Sequence, residues 1–138
     1  MRLQRTKSLR RLLQGSLIAA VLVSGSSALA ADDPSIKGDL RSNVNSAMNE
    51  MIQQRTINGT FKFYDQLKNK VYDLKLVELH DGIVKKGDYY VSCADFVDTQ
   101  GNKVDMDFFV QANNGKLIAT QAIMHKVDGK KRKYHLEN

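Results

Sequence analysis

The sequence predicts an α+β domain in which one N-terminal helix packs on an antiparallel meander sheet of five to six strands. Three observations support this fold class. Apolar side chains recur every three or four positions between residues 35 and 55, which is the spacing of one helix face. After Gly59 the apolar spacing changes to two, the period of a half-buried strand. The segments between the alternating runs are short, and short connections join antiparallel neighbours.

The helix is expected over residues 35–55, with an apolar stripe that faces the sheet and polar side chains on the opposite side. Ser35 or Asp39 is expected to cap its first turn, and Asn58-Gly59 is expected to end it. The stripe consists of Ile36, Leu40, Val44, Ala47, Met48, Met51 and Ile52.

Six alternating runs follow the helix, with glycine or asparagine in the turns between them. The helix precedes all the strands, and no helix is expected between one strand and the next. The strands should therefore form one sheet with the helix on one face. The runs are residues 60–65, 70–80, 88–98, 103–112, 116–127 and 131–137.

The register of the third and fourth runs decides where Cys93, the single cysteine, points. A two-residue turn at Gln100-Gly101 pairs Cys93 with Phe108 and places both side chains on the face that the helix covers. A register shifted by one residue would place Asp95 opposite Asp105, a destabilising pair of like charges. The first register is therefore predicted, with Cys93 facing the helix.

The second face of the predicted sheet carries several large apolar side chains among its charges. A face of this composition indicates a protein partner or a second copy of the chain, although scattered apolar side chains also occur on ordinary surfaces. The predicted partner residues are Tyr90, Phe96, Phe109, Ile118 and Met124.

The chain is divided into a signal peptide over residues 1–30, a flexible lead-in over residues 31–37 and a single domain over residues 38–138. The first segment combines a basic start, an apolar run too short to span a bilayer, and the small residues Ala28 and Ala30 before the expected cleavage position. This pattern predicts export to a bacterial periplasm or beyond, with no membrane span after cleavage.

The charge balance argues against a nucleic-acid partner. The whole chain carries 21 basic and 15 acidic residues, a net charge of +6. Residues 1–30 hold five of the basic residues and none of the acidic ones, so the remaining chain is close to neutral. Nucleic-acid binding requires a basic surface, and no such surface is expected once the leader is removed.

Cys93 has two interpretations. On the helix-covered face it fills the core as a small apolar group. Alternatively, a tight turn in the sequence KKGD places His80 opposite Cys93 and Glu78 opposite Asp95, which would form a nucleophile with its base or a metal carrier. Gly82 in the same strand favours a bulge that would separate His80 from Cys93.

Four polar side chains are expected on the helix-covered face at one end of the sheet. They form either an ion pair that closes the sheet or a pocket for a small anionic or zwitterionic ligand. No cofactor or metal is expected, because His80, His125 and His135 lack the spacing of metal ligands. The predicted ligand-binding residues are Asp95, Gln121, His125 and Arg132.

The order of one long helix followed by a meander resembles the cystatin-like and NTF2-like group of small domains over residues 35–137. The resemblance implies a helix packed on a curved sheet, and it implies no single function because these folds host enzymes, inhibitors, carriers and scaffolds. The glycine-valine-rich inhibitory loop of cystatins is missing from the sequence, so the resemblance does not imply protease inhibition.

Taken together, these patterns predict an exported binding or accessory protein without catalytic activity. Two alternatives stay open. One is a cysteine-dependent enzyme or metal carrier that uses Cys93, His80 and Asp95, and the other is a structural subunit of an envelope assembly.

Overall fold

The computed structural model describes residues 31–133, in which one helix precedes seven strands. The strands form a single antiparallel sheet and follow one another in chain order. The helix α1 spans Gly38–Gln54, and the strands are β1 Thr56–Ile57, β2 Thr60–Asp65, β3 Lys70–Lys86, β4 Tyr89–Val97, β5 Lys103–Asn113, β6 Lys116–Val127 and β7 Lys130–Lys131.

Two predictions fall outside the described residues: the signal peptide over residues 1–30 and the end of the last predicted strand beyond Lys133. Between residues 31 and 133, the single helix lacks the length and apolar character that crossing a bilayer requires.

The predicted fold class, an α+β domain with five to six strands, is wrong, because the chain is a β-rich fold dominated by a seven-stranded sheet. Asn58-Gly59, predicted to end the helix, is instead the two-residue turn between β1 and β2. Its residues have φ angles of 52° and 81°, the positive values that such a hairpin turn requires. In addition, β3 continues past its predicted end at residue 80 to Lys86.

The helix itself lies where the apolar spacing predicts it, but its capping differs. Lys37 occupies the N-cap position without a side-chain hydrogen bond, so neither Ser35 nor Asp39 caps the helix. Leu40, predicted in the apolar stripe, is 38% exposed. The helix packs against β3, β4, β5 and β6, and its buried side chains are Val44, Ala47, Met48, Met51 and Ile52.

Residues 31–37, predicted as a flexible lead-in, make defined contacts with β3. The amide of Asp33 donates to the carbonyl of Ile83 at 2.7 Å, and the carboxylate of Asp32 accepts from the amide of Ile83 at 3.0 Å. The side chain of Ile36 is buried next to Ile83 in the same apolar cluster. The segment thus holds the start of α1 against the sheet.

The sheet curls so that β2 folds back over β4 and β5. Phe61 on β2 stacks on Phe96 of β4 with ring centroids 5.4 Å apart, and its centroid lies 6.0 Å from that of Phe108 on β5. Two register irregularities in β3 accompany the bend, one between Leu76 and Glu78 and one between Leu79 and Ile83. The main core therefore lies inside the curl, with α1 closing one side.

The predicted register of β4 and β5 is wrong by one residue. Cys93 is paired with Asp107, and Asp95 is paired with Asp105, the like-charge arrangement that sequence reasoning rejects. The connection is a five-residue loop and not a two-residue turn, because the carboxylate of Asp98 accepts hydrogen bonds from the amides of Gln100 and Asn102, both at 2.9 Å. Cys93 consequently points away from the helix.

The sheet thus has two chemically distinct faces in β4 and β5. On the face that α1 covers, Ala94, Phe96, Met106 and Phe108 are fully buried. The opposite face, here called the outer face, carries the alternate side chains of the same strands, including Cys93, Asp95, Asp105 and Asp107.

Candidate functional site

Titratable side chains from four adjacent strands meet on the outer face. These side chains are here called the outer-face cluster. Its members are Glu78 and His80 on β3, Cys93 and Asp95 on β4, Asp105 and Asp107 on β5, and His125 and Lys126 on β6.

His80 and Asp95 form the first contact within the outer-face cluster. Nε2 of His80 lies 3.0 Å from Oδ2 of Asp95, and His80 is 21% exposed. Glu78 belongs to the same trio, since its carboxylate lies within 4.8 Å of donor atoms of the other two residues. Nδ1 of His80 is buried and has no hydrogen-bond partner. The predicted pairing of Glu78 with Asp95 is confirmed, whereas the predicted pairing of His80 with Cys93 is wrong, because His80 lies in the irregular stretch between Leu79 and Ile83.

Asp107 lies between Cys93 and His125 and contacts both. The thiol of Cys93 donates to Oδ1 of Asp107 at 3.0 Å, and Nδ1 of His125 lies 3.0 Å from Oδ2 of the same carboxylate. Cys93, Asp105 and Asp107 form a second trio of potential ligand atoms within 4.8 Å of one another. The thiol therefore donates its hydrogen bond to a carboxylate.

Both histidines lie at irregularities of their strands. In β6 the register shifts between the pairs Asp105–Lys126 and Met106–Met124, which leaves His125 as the extra residue of a bulge. His80 lies within the irregular stretch of β3 that follows Leu79. A bulge redirects a side chain and is frequent near functional sites. The two irregularities thus place the imidazoles of His80 and His125 on the outer face, beside the carboxylates of β4 and β5.

The outer-face cluster has an excess of negative charge. The pKa of Asp105 is raised by its burial, then by the neighbouring charges of Asp107 and Asp95, and His125 and Lys126, the latter at 3.7 Å, only partly oppose this. Oδ1 of Asp105 is buried without a hydrogen-bond partner. Burial also raises the pKa of the Cys93 thiol, and the charge of Asp107 raises it further. An added cation would relieve both effects.

Part of the cluster lines a half-open cavity of about 410 Å³. Asp95, Asp105 and Lys126 form part of the cavity wall, next to the apolar side chains of Val77 and Val97. The cavity therefore exposes these three side chains to solvent.

We expect Asp105→Asn to stabilise the protein at pH 7 by up to about 1 kcal/mol, the size of one cross-strand charge interaction. Because the folded state raises the pKa of Asp105, it keeps the proton at pH values where the unfolded chain, with its pKa of 3.8, has lost it. Stability therefore falls as the pH rises above 3.8, and the substitution removes this loss.

The measurement is thermal unfolding of the wild type and Asp105→Asn at pH 3 and pH 7 with a chelator present. The matched control is Asp88→Asn in the exposed turn between β3 and β4. An Asp105→Asn variant that gains no more stability at pH 7 than at pH 3 would contradict the inferred cost of ionising Asp105.

The predicted ligand pocket of Asp95, Gln121, His125 and Arg132 does not form. Asp95 contacts His80, His125 contacts Asp107, and Gln121 is exposed. Arg132 instead contacts Asp65, with Nη2 at 2.8 and 3.1 Å from the two carboxylate oxygens. The prediction that Arg132 and His125 are cross-strand neighbours holds at the backbone, where the amide of Arg132 donates to the carbonyl of His125 at 2.8 Å.

The predicted partner residues do not share one surface. Phe96 and Met124 are each 1% exposed and lie in the main core, so they cannot contact a partner. Tyr90 packs against the apolar cluster beneath α1. Phe109 is half-buried beside Tyr89, with ring centroids 5.4 Å apart, and Ile118 is half-buried near the start of β6. The one-residue shift in register explains why Phe96 was assigned to the wrong face.

No known protein family, curated protein or solved structure matches this chain. The resemblance to cystatin-like and NTF2-like domains therefore stays a prediction.

Sequence reasoning placed His80 and Asp95 in one candidate site, and the structure brings them together. It missed Asp107, which contacts both Cys93 and His125. The available signal was the alternation of Asp105 and Asp107 along β5, which places two carboxylates on one face of a strand.

Proposed function

We propose that this chain is an exported binding protein without catalytic activity, and that its ligand is a divalent cation held by the outer-face cluster. The observation that carries the proposal is the grouping of four carboxylates and a thiol on one surface with a single lysine. Lys126 approaches only one of these carboxylates, at 3.7 Å, so a bound cation would supply further positive charge to the cluster. Among the functions that the sequence suggests, the metal carrier that uses Cys93, His80 and Asp95 is the most similar to this proposal.

The contacts of Cys93 support binding over cysteine-dependent catalysis. A catalytic thiol requires a base within hydrogen-bond reach and a lowered pKa. Here the thiol donates to Oδ1 of Asp107. His125 contacts the other oxygen of that carboxylate, Oδ2. Burial and the charge of Asp107 raise the thiol pKa, which suppresses the thiolate.

We expect Cys93 in the folded, cation-free protein to react with iodoacetamide at pH 8 at least about a hundredfold more slowly than after denaturation, because little thiolate is present. Mass spectrometry of samples quenched over time measures the rate. The control is the same reaction in urea, where the thiol regains ordinary reactivity. A native rate equal to or above the denatured rate would support the enzyme alternative.

The exported location is part of the proposal and rests on the sequence of residues 1–30. Their basic start, apolar run and small residues near Ala30 support secretion into a bacterial periplasm. A cation-binding protein in this compartment would meet ions that enter from outside the cell.

Thermal unfolding with and without a cation tests the proposed function. Zn²⁺ and Ca²⁺ are added separately to the reduced, demetallated chain. At a concentration 100 times its Kd, a cation that binds only the folded state adds about 2.7 kcal/mol of stability. The variant Asp95→Asn/Asp105→Asn/Asp107→Asn should lose this gain while staying folded. The proposal fails if neither cation stabilises the wild type, or if both stabilise the triple variant equally well.

A further inference from the structure

The geometry points to a specific centre within the outer-face cluster: Cys93, Asp105 and Asp107 bind a first-row transition-metal ion of the zinc class, and His125 positions Asp107. This inference rests on the proposed function and narrows its ligand from any divalent cation to ions that accept sulfur ligands. It also separates this centre from the neighbouring trio of Glu78, His80 and Asp95.

The three proposed ligands come from adjacent strands, which fixes their spacing. Cys93 and Asp107 are directly paired across β4 and β5, and Asp105 is two residues from Asp107 on the same face of β5. One potential ligand atom from each residue lies within 4.8 Å of the other two. Ligands of a tetrahedral zinc ion at about 2.0–2.3 Å are about 3.3–3.8 Å apart. Small side-chain rotations therefore bring the three atoms to ligand distance.

The second observation is an oxygen that the protein leaves without a partner. Oδ1 of Asp105 is buried and accepts no hydrogen bond, although buried carboxylate oxygens are normally satisfied. Lys126 approaches only the other oxygen, Oδ2, at 3.7 Å. A cation between Asp105 and Cys93 would satisfy Oδ1, which neither the thiol nor the lysine does.

His125 fits the role of a positioning residue. Carboxylates that bind a metal are commonly held by a further hydrogen bond, which fixes their orientation. His125, placed by the bulge in β6, contacts Oδ2 of Asp107 at 3.0 Å and leaves Oδ1 directed at Cys93. The imidazole thereby orients Asp107 toward the sulfur side of the centre.

The donor set predicts which ions are selected. Ca²⁺ and Mg²⁺ prefer oxygen ligands alone, and neither gains from a sulfur donor. Zinc and its first-row neighbours accept thiolate and carboxylate together. Cys93 therefore distinguishes the two classes, and replacing its sulfur should reduce the discrimination.

Cobalt absorption tests the inference, because Co²⁺ bound to a thiolate shows a ligand-to-metal charge-transfer band that oxygen and nitrogen ligands do not produce. One equivalent of Co²⁺ is added to the reduced, demetallated wild type and to Cys93→Ser, His125→Ala and Asp88→Asn. We expect the band in the wild type, its loss in Cys93→Ser, and weaker Co²⁺ binding by about tenfold or more in His125→Ala. Asp88→Asn, an exposed control outside the cluster, should keep the band and bind Co²⁺ as the wild type does.

A second measurement does not depend on any variant folding. A roughly hundredfold excess of Ca²⁺ or Mg²⁺ should leave the wild-type cobalt band unchanged, because these ions do not compete for sulfur. Displacement of Co²⁺ by either ion would overturn the inference. Cobalt bound without a thiolate band, or Co²⁺ bound by His125→Ala as tightly as by the wild type, would also overturn it while leaving the proposed cation binding intact. If no cation binds at all, both the inference and the proposed function fail.

Discussion

Replacing Arg132 by alanine is expected to lower the free energy of unfolding by about 3–5 kcal/mol, the cost of leaving a buried charge without its partner. Asp65 is 1% exposed, and Nη2 of Arg132 lies 2.8 and 3.1 Å from its two oxygens. The amide of Leu67 donates to the same carboxylate at 3.1 Å, but it carries no charge. Urea denaturation followed by circular dichroism measures the change.

Two controls separate this expectation from ordinary surface effects. Lys130→Ala, on exposed β7, should change stability by no more than about 0.5 kcal/mol. The double variant Asp65→Leu/Arg132→Met removes both charges and should recover most of the loss, because a buried ion pair is often replaceable by apolar groups. An Arg132→Ala variant as stable as Lys130→Ala would show that Asp65 is not buried beside Arg132.

The contact between Asp65 and Arg132 was not predictable from local patterns. Asp65 ends β2 and Arg132 directly follows β7, and four strands separate β2 from β7 in the sheet. They meet because the sheet curls, and the curl depends on the irregularities of the long β3 strand. The sequence interpretation gave Arg132 the wrong partner, Asp95, because the curl of the sheet brings Asp65 to Arg132 while Asp95 contacts His80.

The types and approximate positions of most elements followed from periodicity, because apolar spacing reports directly which side chains face a core. The register between strands was harder. Glu78 and Asp95 are paired as predicted, but only because two deviations from the predicted register cancel each other. The turn begins one residue later than expected, at Gly87-Asp88, which shifts the pairing by two. The irregular stretch after Leu79 contains two extra residues and restores it.

The candidate site was misplaced for a related reason. A rule against like charges rejected the pairing of Asp95 with Asp105, although that pairing is the one present. Such rules describe average preferences over many strand pairs, and an individual pair can depart from them. The bulge that brings His125 to Asp107 also has no signature in composition, because neither glycine nor proline marks it.

Phe96→Ala gives the most direct test of the register, and it is expected to cost about 3–5 kcal/mol, the usual loss for a fully buried phenylalanine. Phe96 is 1% exposed, stacks on Phe61 at 5.4 Å and lies 6.4 Å from Phe108 between ring centroids. The register predicted from sequence places it on the outer face, where the loss would be close to about 1 kcal/mol.

The matched control is Phe109→Ala, since Phe109 has the same side chain on the outer face and is only half-buried beside Tyr89. Its loss should be close to about 1 kcal/mol, well below that of Phe96→Ala. Urea denaturation of both variants under the same conditions gives the comparison. Equal losses in the two variants would mean that Phe96 does not face the core. Side chains alternate along β4, so Cys93 and Asp95 would then turn toward α1. The outer-face cluster could not form in that case.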